Sequence, residues 1–134
     1  MIITNRWSIT MDEALAKFIE KYKDVFWRVV WKDVNTRNSC GDTLLHAAVI
    51  QTDRADVAQL IALGADVNAA GELGNTPLHE AASFGLVEII RKLVAAGAKV
   101  EAKNNDGQTP ADRARLSHSG KDLKAILRAL QGRT

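Results

Sequence analysis

The chain has 134 residues and a single cysteine, Cys40, so no disulfide can form within it. A lone thiol fits a reducing compartment, and a cytoplasmic location is expected. No apolar run approaches the roughly 20 residues needed to cross a bilayer. The opening "MIITNRWSIT" lacks the unbroken apolar core of a secretion signal. No membrane partner is expected. Charge of one sign is also scarce: the net charge is +2, too little to draw the whole molecule to nucleic acid. The phosphate-cradling sequence G-x-x-x-x-G-K-[ST] is absent, and the carboxylates follow no spacing that would make them converge. No catalytic residue, cofactor or metal site is therefore expected, and the chain reads as a non-enzyme.

What is present is ordinary in amount and unusual in order. Apolar residues make up 46% and charged residues 25%, as in a soluble domain with one core. "GDTLLHAAV" begins at Gly41, "GNTPLHEAA" at Gly74 and "GQTPADRAR" at Gly107, a spacing of 33 residues. "LGADVNA" from Leu63 and "AGAKVEA" from Ala96 keep the same interval. A period in this range marks a stacked repeat architecture.

Residues 74–105 define one unit. Thr76 is suited to cap a helix, because its hydroxyl can accept an otherwise unpaired backbone N–H. Pro77 follows at the first helical position, where its missing N–H costs nothing. Leu78, Ala81 and Ala82 form a short apolar face, and Gly85 can end the helix in the left-handed conformation. A second helix is expected over Leu86–Ala95, burying Ile89, Ile90, Leu93 and Val94, with Gly97 ending it. The segment from Ala98 to Asp106 then projects as a turn-rich loop. Helices this short are marginal alone in water, so copies must stack to bury their faces.

These motifs resemble the ankyrin-repeat family: the 33-residue period, T-P-L-H opening a helix, and G-A-D-V-N closing the unit, over roughly residues 33–130. The resemblance implies an all-α solenoid of stacked helix-turn-helix pairs with projecting finger loops. First helices would line a concave face, and second helices the convex back. The implied units are 40–72, 73–105 and a C-terminal capping repeat at 106–134, all within one domain spanning 1–134.

Residues 8–39 are read as a diverged N-terminal capping repeat. Thr10 and Glu13 have capping-box spacing, and Met11, Leu15, Phe18, Ile19 and Tyr22 recur at helical spacing. Val25, Phe26, Val29 and Val30 copy the buried face of the later second helices. The last unit departs from the pattern through Ala111, Asp112 and a charged second helix bearing Lys121, Asp122 and Lys124, which suits a cap. In the unit from 40, Leu44 stands for the proline and Thr52 for the helix-ending glycine.

His46 and His79 hold one repeat position. In the family that histidine is structural, bonding its own threonine and the backbone of the next repeat. His118, near the last inter-helix turn, is expected to be exposed, and Cys40 to be a finger residue.

The family's binding positions, carried over residue by residue, are the finger tips and the outward side of the first helices. The fingers give Ser39, Cys40 and Asp42, then Glu72, Leu73 and Asn75, then Asn105, Asp106 and Gln108. The helices give Ile50 and Gln51, Ser83 and Phe84, Leu116 and Ser117. Phe84 ends "GNTPLHEAASFG", a bulky apolar residue that stacking does not require. With Ile50, Leu116, Leu73 and Cys40 it could make an apolar patch rimmed by Asp42, Glu72, Glu80 and Asp106.

The expected function is a non-catalytic module holding one protein partner, acting as an inhibitor, immunity protein or antitoxin by occlusion. An adaptor or scaffold is the alternative. Another is self-assembly through the N-terminal tryptophans Trp7, Trp27 and Trp31. Nucleic-acid binding through Arg113, Arg115, Lys121, Lys124 and Arg128 is disfavoured, and a monomer is expected.

Overall fold

The threonine-proline start at residue 76 forms the helix it suits. In a computed structural model, describing residues 6–26, 29 and 32–132, Thr76 is extended and its hydroxyl accepts the His79 amide. Seven helices occur among the described residues: α1 (Arg6–Lys21), α2 (Leu44–Ile50), α3 (Arg54–Ala62), α4 (Pro77–Phe84), α5 (Val87–Ala95), α6 (Pro110–Ser117) and α7 (Gly120–Leu130). A short 3-10 turn spans Glu72–Gly74. No strand is present among those residues.

Helix α2 packs on α3, α4 on α5 and α6 on α7. First helices run as one row, α2 to α4 to α6, and second helices as another, α3 to α5 to α7. Leu44, Leu45, Leu60, Leu78, Ile89, Ile90, Leu93 and Ile126 are fully buried between the rows. Each such side chain contributes about 1.5–3 kcal/mol relative to exposure. Ala47, Ala48, Ala81, Ala82 and Ala114 are buried too. Their small side chains allow first helices to pack at the close end of the usual spacing of about 8–10 Å. Val94 is only half-buried, and Leu86 stands just before α5.

His46 and His79 join successive units. The Thr43 amide donates to His46 Nδ1 at 3.1 Å, and His46 Nε2 meets the Asn75 carbonyl oxygen at 2.9 Å. His79 repeats this with the Thr76 amide at 3.1 Å and the Gln108 carbonyl at 2.8 Å. Because Nδ1 accepts, the Nε2 atom carries the proton and donates. Both rings are therefore neutral, and burial lowers both pKa values despite the opposing carbonyl bond. Asp112 takes the histidine's place in the last unit and receives the Thr109 amide at 3.0 Å.

The loops are strapped with the same period. Asn35 accepts the Asp66 amide at 2.7 Å and donates to the Gly64 carbonyl. Asn68 accepts the Lys99 amide at 2.8 Å and donates to the Gly97 carbonyl. Gly71 leaves room for the neighbouring finger: a Cβ there would lie 2.1 Å from Asp42 Oδ1 and 2.8 Å from His46 Nε2.

Gly85 ends α4 at φ 71°. Thr52, at the equivalent position, adopts the same left-handed turn at φ 58°. The substitution thus preserves the turn at the cost of backbone strain. His118 differs from expectation. It is half-buried, its Nε2 lies 3.0 Å from the Ser83 carbonyl, and its ring packs over Gly85.

The N-terminal segment also departs from the sequence reading. Thr10 lies inside α1, not at its start. Phe18 and Tyr22 are buried as the spacing predicts. Residues 22–26 form turns, leaving Val25 45% exposed while Phe26 is buried. Polar contacts fix the residues before these turns: Lys21 reaches Asp53 at 2.7 Å and Asp56 at 2.5 Å, and the Tyr22 hydroxyl donates to Asp56 at 2.7 Å. These bonds hold the end of α1 against the start of α3. Burial and the Asp56 carboxylate push the Tyr22 pKa up. Val30, Trp27, Trp31 and the side chain of Trp7 lie outside the described residues.

Two predictions follow from the joints and turns. Thr52→Gly should raise folding stability by about 0.5–1 kcal/mol in urea titration, strain relief exceeding glycine's unfolded-state entropy. Unchanged or lower stability would refute the strain. Folded-state histidine pKa values below the free value of 6.5 make stability complete above that pH. It is lost as pH falls from there toward the lowered values, at up to about 1.4 kcal/mol per histidine per pH unit. Urea unfolding near pH 7.5 and near pH 5.5 measures this, and His79→Gln should shrink the difference.

Candidate functional site

Helix α4 has two faces of opposite character. Leu78, Ala81 and Ala82 are fully buried, whereas Phe84 is 52% exposed. Glu80 and Phe84 are four residues apart and so lie on one side, one turn from each other. Ser83 sits beside them, half-buried. The 33-residue register carries this outward face across the row: Ala47, Glu80 and Arg113, then Ile50, Ser83 and Leu116, then Gln51, Phe84 and Ser117. Ile50 is 44% and Leu116 70% exposed. Gln51 and Ser117 are exposed as well. Ile50, Phe84 and Leu116 thus crown the C-terminal ends of three adjacent helices. Phe84 also walls an open hollow of about 320 Å³, shared with His118, Asp122, Ala125 and Ile126.

The fingers border the other end of these helices. Ser39, Cys40, Glu72, Leu73, Asn105 and Asp106 are exposed, while Asp42 and Gln108 are half-buried. Asn75 differs: its side chain is buried and accepts a hydrogen bond from Asn104 Nδ2 at 2.9 Å. It is an internal strut between fingers, because its neighbours cover the side chain that finger position alone would place outside. Leu73 is 64% exposed with φ 56°, a left-handed conformation that disfavours a leucine. That backbone turn is held by the next finger, whose Asn105 amide donates to the Leu73 carbonyl at 3.0 Å. The leucine side chain makes no use of the turn.

Charge is distributed unequally over the face. Burial raises the Glu80 pKa, and the like charge of Asp42 adds to this; Arg113 opposes it and Glu72 reinforces it. Asp42 Oδ1 also accepts the Glu72 amide at 2.8 Å, which ties the first two fingers together beside Glu80. The Arg113 guanidinium donates to Ser83 Oγ at 3.2 Å, and its Nε has no hydrogen-bond partner. Ala47, the counterpart of Glu80 on α2, carries no charge and is buried. Sequence reasoning passed over Arg113 as a member of this face, although its 33-residue offset from Glu80 was the available signal.

The histidines do not serve this face, since both ring nitrogens of His46 and His79 are occupied. Among the described residues, no group of three or more His, Cys, Asp or Glu side chains is placed to hold a metal. No helix there is long and apolar enough to cross a membrane.

Comparison with known families accords with the geometry. The model for ankyrin repeats (3 copies) matches residues 13–104 and 53–130, which together include the end of α1 and all later helices. No curated protein matches the chain. Ankyrin repeats are protein–protein interaction modules, generally non-catalytic. By its period, its histidine joints, its paired-helix ladder and this match, the chain belongs to the ankyrin-repeat family.

Proposed function

We propose that this protein binds one protein partner across the outward face of α2, α4 and α6 and the adjoining fingers. The observation that carries the reading is Phe84, half exposed on a helix whose inward side chains are sealed. About half of that ring remains in water, an apolar exposure that burial against a partner would relieve. Ile50, Leu73 and Leu116 extend apolar surface to both ends of the row. Acidic groups rim it, in the arrangement typical of an interface core and its border. Asn75 contributes from within, by holding the finger next to Glu72 and Leu73.

The mode of action we infer is occlusion. A rigid binding face acts most directly on a partner by covering its working surface. On this reading the protein acts as an inhibitor, immunity protein or antitoxin, in the cytoplasm and as a monomer. A stable complex of this kind would bury about 1,200–2,000 Å² in total. Units 40–72 and 73–105 and the first helix of 106–134 carry the face, with 106–134 and 8–39 also capping the stack.

Two substitutions separate binding from folding. Phe84→Ala should weaken partner binding by about 1–4 kcal/mol, measured by calorimetry with the partner captured from native lysate. Its urea midpoint should stay close to that of the parent. Leu78→Ala should cost about 2–5 kcal/mol of folding stability through a core cavity. Loss of folding in Phe84→Ala, or full binding without the ring, would defeat the reading.

A further inference from the structure

The partner's chemistry is written in the asymmetry around Glu80. On the α6 side, the equivalent position is Arg113, an opposing cation. On the α2 side it is Ala47, which offers none. Asp42 and Glu72, from two different fingers, add like charge on that open side and are joined to each other through the Glu72 amide. Elsewhere, carboxylates near a cation are paired with it: Asp53 and Asp56 with Lys21, Glu88 with Arg91, and Asp112 with Arg115. Among the described residues, Asp42, Glu72 and Glu80 have no such ion pair within 4.0 Å. Three carboxylates therefore outnumber the two guanidiniums beside them: Arg37 is spent on the Gly41 and Ala70 carbonyls, and Arg113 in part on Ser83.

Resting on the binding face described above, we propose that it receives a protein segment presenting a basic side chain next to an apolar one. The cation lies between Asp42, Glu72 and Glu80, and the apolar side chain packs on Phe84 and Ile50. Helix geometry sets the spacing. Phe84 stands four residues above Glu80, about 6 Å along the axis of α4. Two residues of an extended chain span about 7 Å, and one turn of helix about 5.4 Å. The segment thus carries Lys or Arg and an apolar residue at i and i+2 when extended, or at i and i+4 when helical. A basic group there relieves the mutual repulsion of the carboxylates, and an acidic one increases it. The half-buried position of Glu80 lessens screening by salt, so the preference persists at physiological ionic strength. The fingers fix direction: the basic residue enters at their base, and the apolar residue lies toward the inter-helix turn.

The test is selection of phage-displayed random dodecapeptides on the intact protein, followed by calorimetry with the synthesised winners. Winners should carry Lys or Arg at the stated spacing from an apolar residue. Asp42→Asn combined with Glu80→Gln should weaken them by about tenfold or more, and Arg113→Gln should strengthen them several-fold by removing the competing cation. Circular dichroism and urea midpoints establish that each variant is folded. Winners that need Phe84 but lack a basic residue, or ignore the Asp42 and Glu80 changes, overturn this inference and leave the binding face standing. Winners indifferent to both Phe84 and Glu80, or no enrichment at all, overturn the two together.

Discussion

The two central units of this protein depend on a neutral histidine held between two backbones. His46 and His79 accept the amide that begins their own helix and donate to a carbonyl 29 residues further on. A neutral hydrogen bond adds only about 1 kcal/mol net, less than one buried leucine. The joint therefore does not supply the bulk of the stability. Its contribution is register. Leucines and alanines will pack in several slightly shifted arrangements, but a ring nitrogen reaches a carbonyl in one. Once the ring is buried, leaving that carbonyl unpaired would cost more than the bond itself gains.

Register is what turns a stack into a surface. With helices locked at a fixed offset, residues 33 apart become lateral neighbours, and each unit's outward positions fall into rows. Ile50, Ser83 and Leu116 share a level for that reason, as do Gln51, Phe84 and Ser117, and Ala47, Glu80 and Arg113. The asparagine straps at Asn35 and Asn68 perform the same service for the loops, setting each finger beside the next. A partner thus meets side chains from several units whose relative positions are set by backbone bonds, and little ordering is left for binding to accomplish.

Much of this was legible in the chain. The threonine-proline starts, Gly85 as a helix stop, and the buried triplet Ile89, Ile90 and Leu93 all stand where their local chemistry places them. Local chemistry misled where a distant contact intervened. Val25 copies a buried position, yet residues 22–26 form turns that leave it exposed, while Lys21 and Tyr22 beside it bind α3. His118 has polar neighbours in sequence, yet the Ser83 carbonyl from the preceding unit draws it in. Asn75 occupies a finger, yet Asn104 of the following finger buries it.

The sequence alone determined the period, the paired helices and the family, because each follows from interactions within one unit or from its repetition. It also marked Phe84 as surplus to stacking. Tertiary structure decided which polar groups were consumed between units and which stayed open. Asp42 and Glu80 belong to successive units, with Glu72 in the loop joining them, and their mutual charge arises only when fingers and helices are set side by side. Electrostatic interaction depends on separation in space, and the 37 residues of chain between Asp42 and Glu80 say nothing about that separation until the stack is formed.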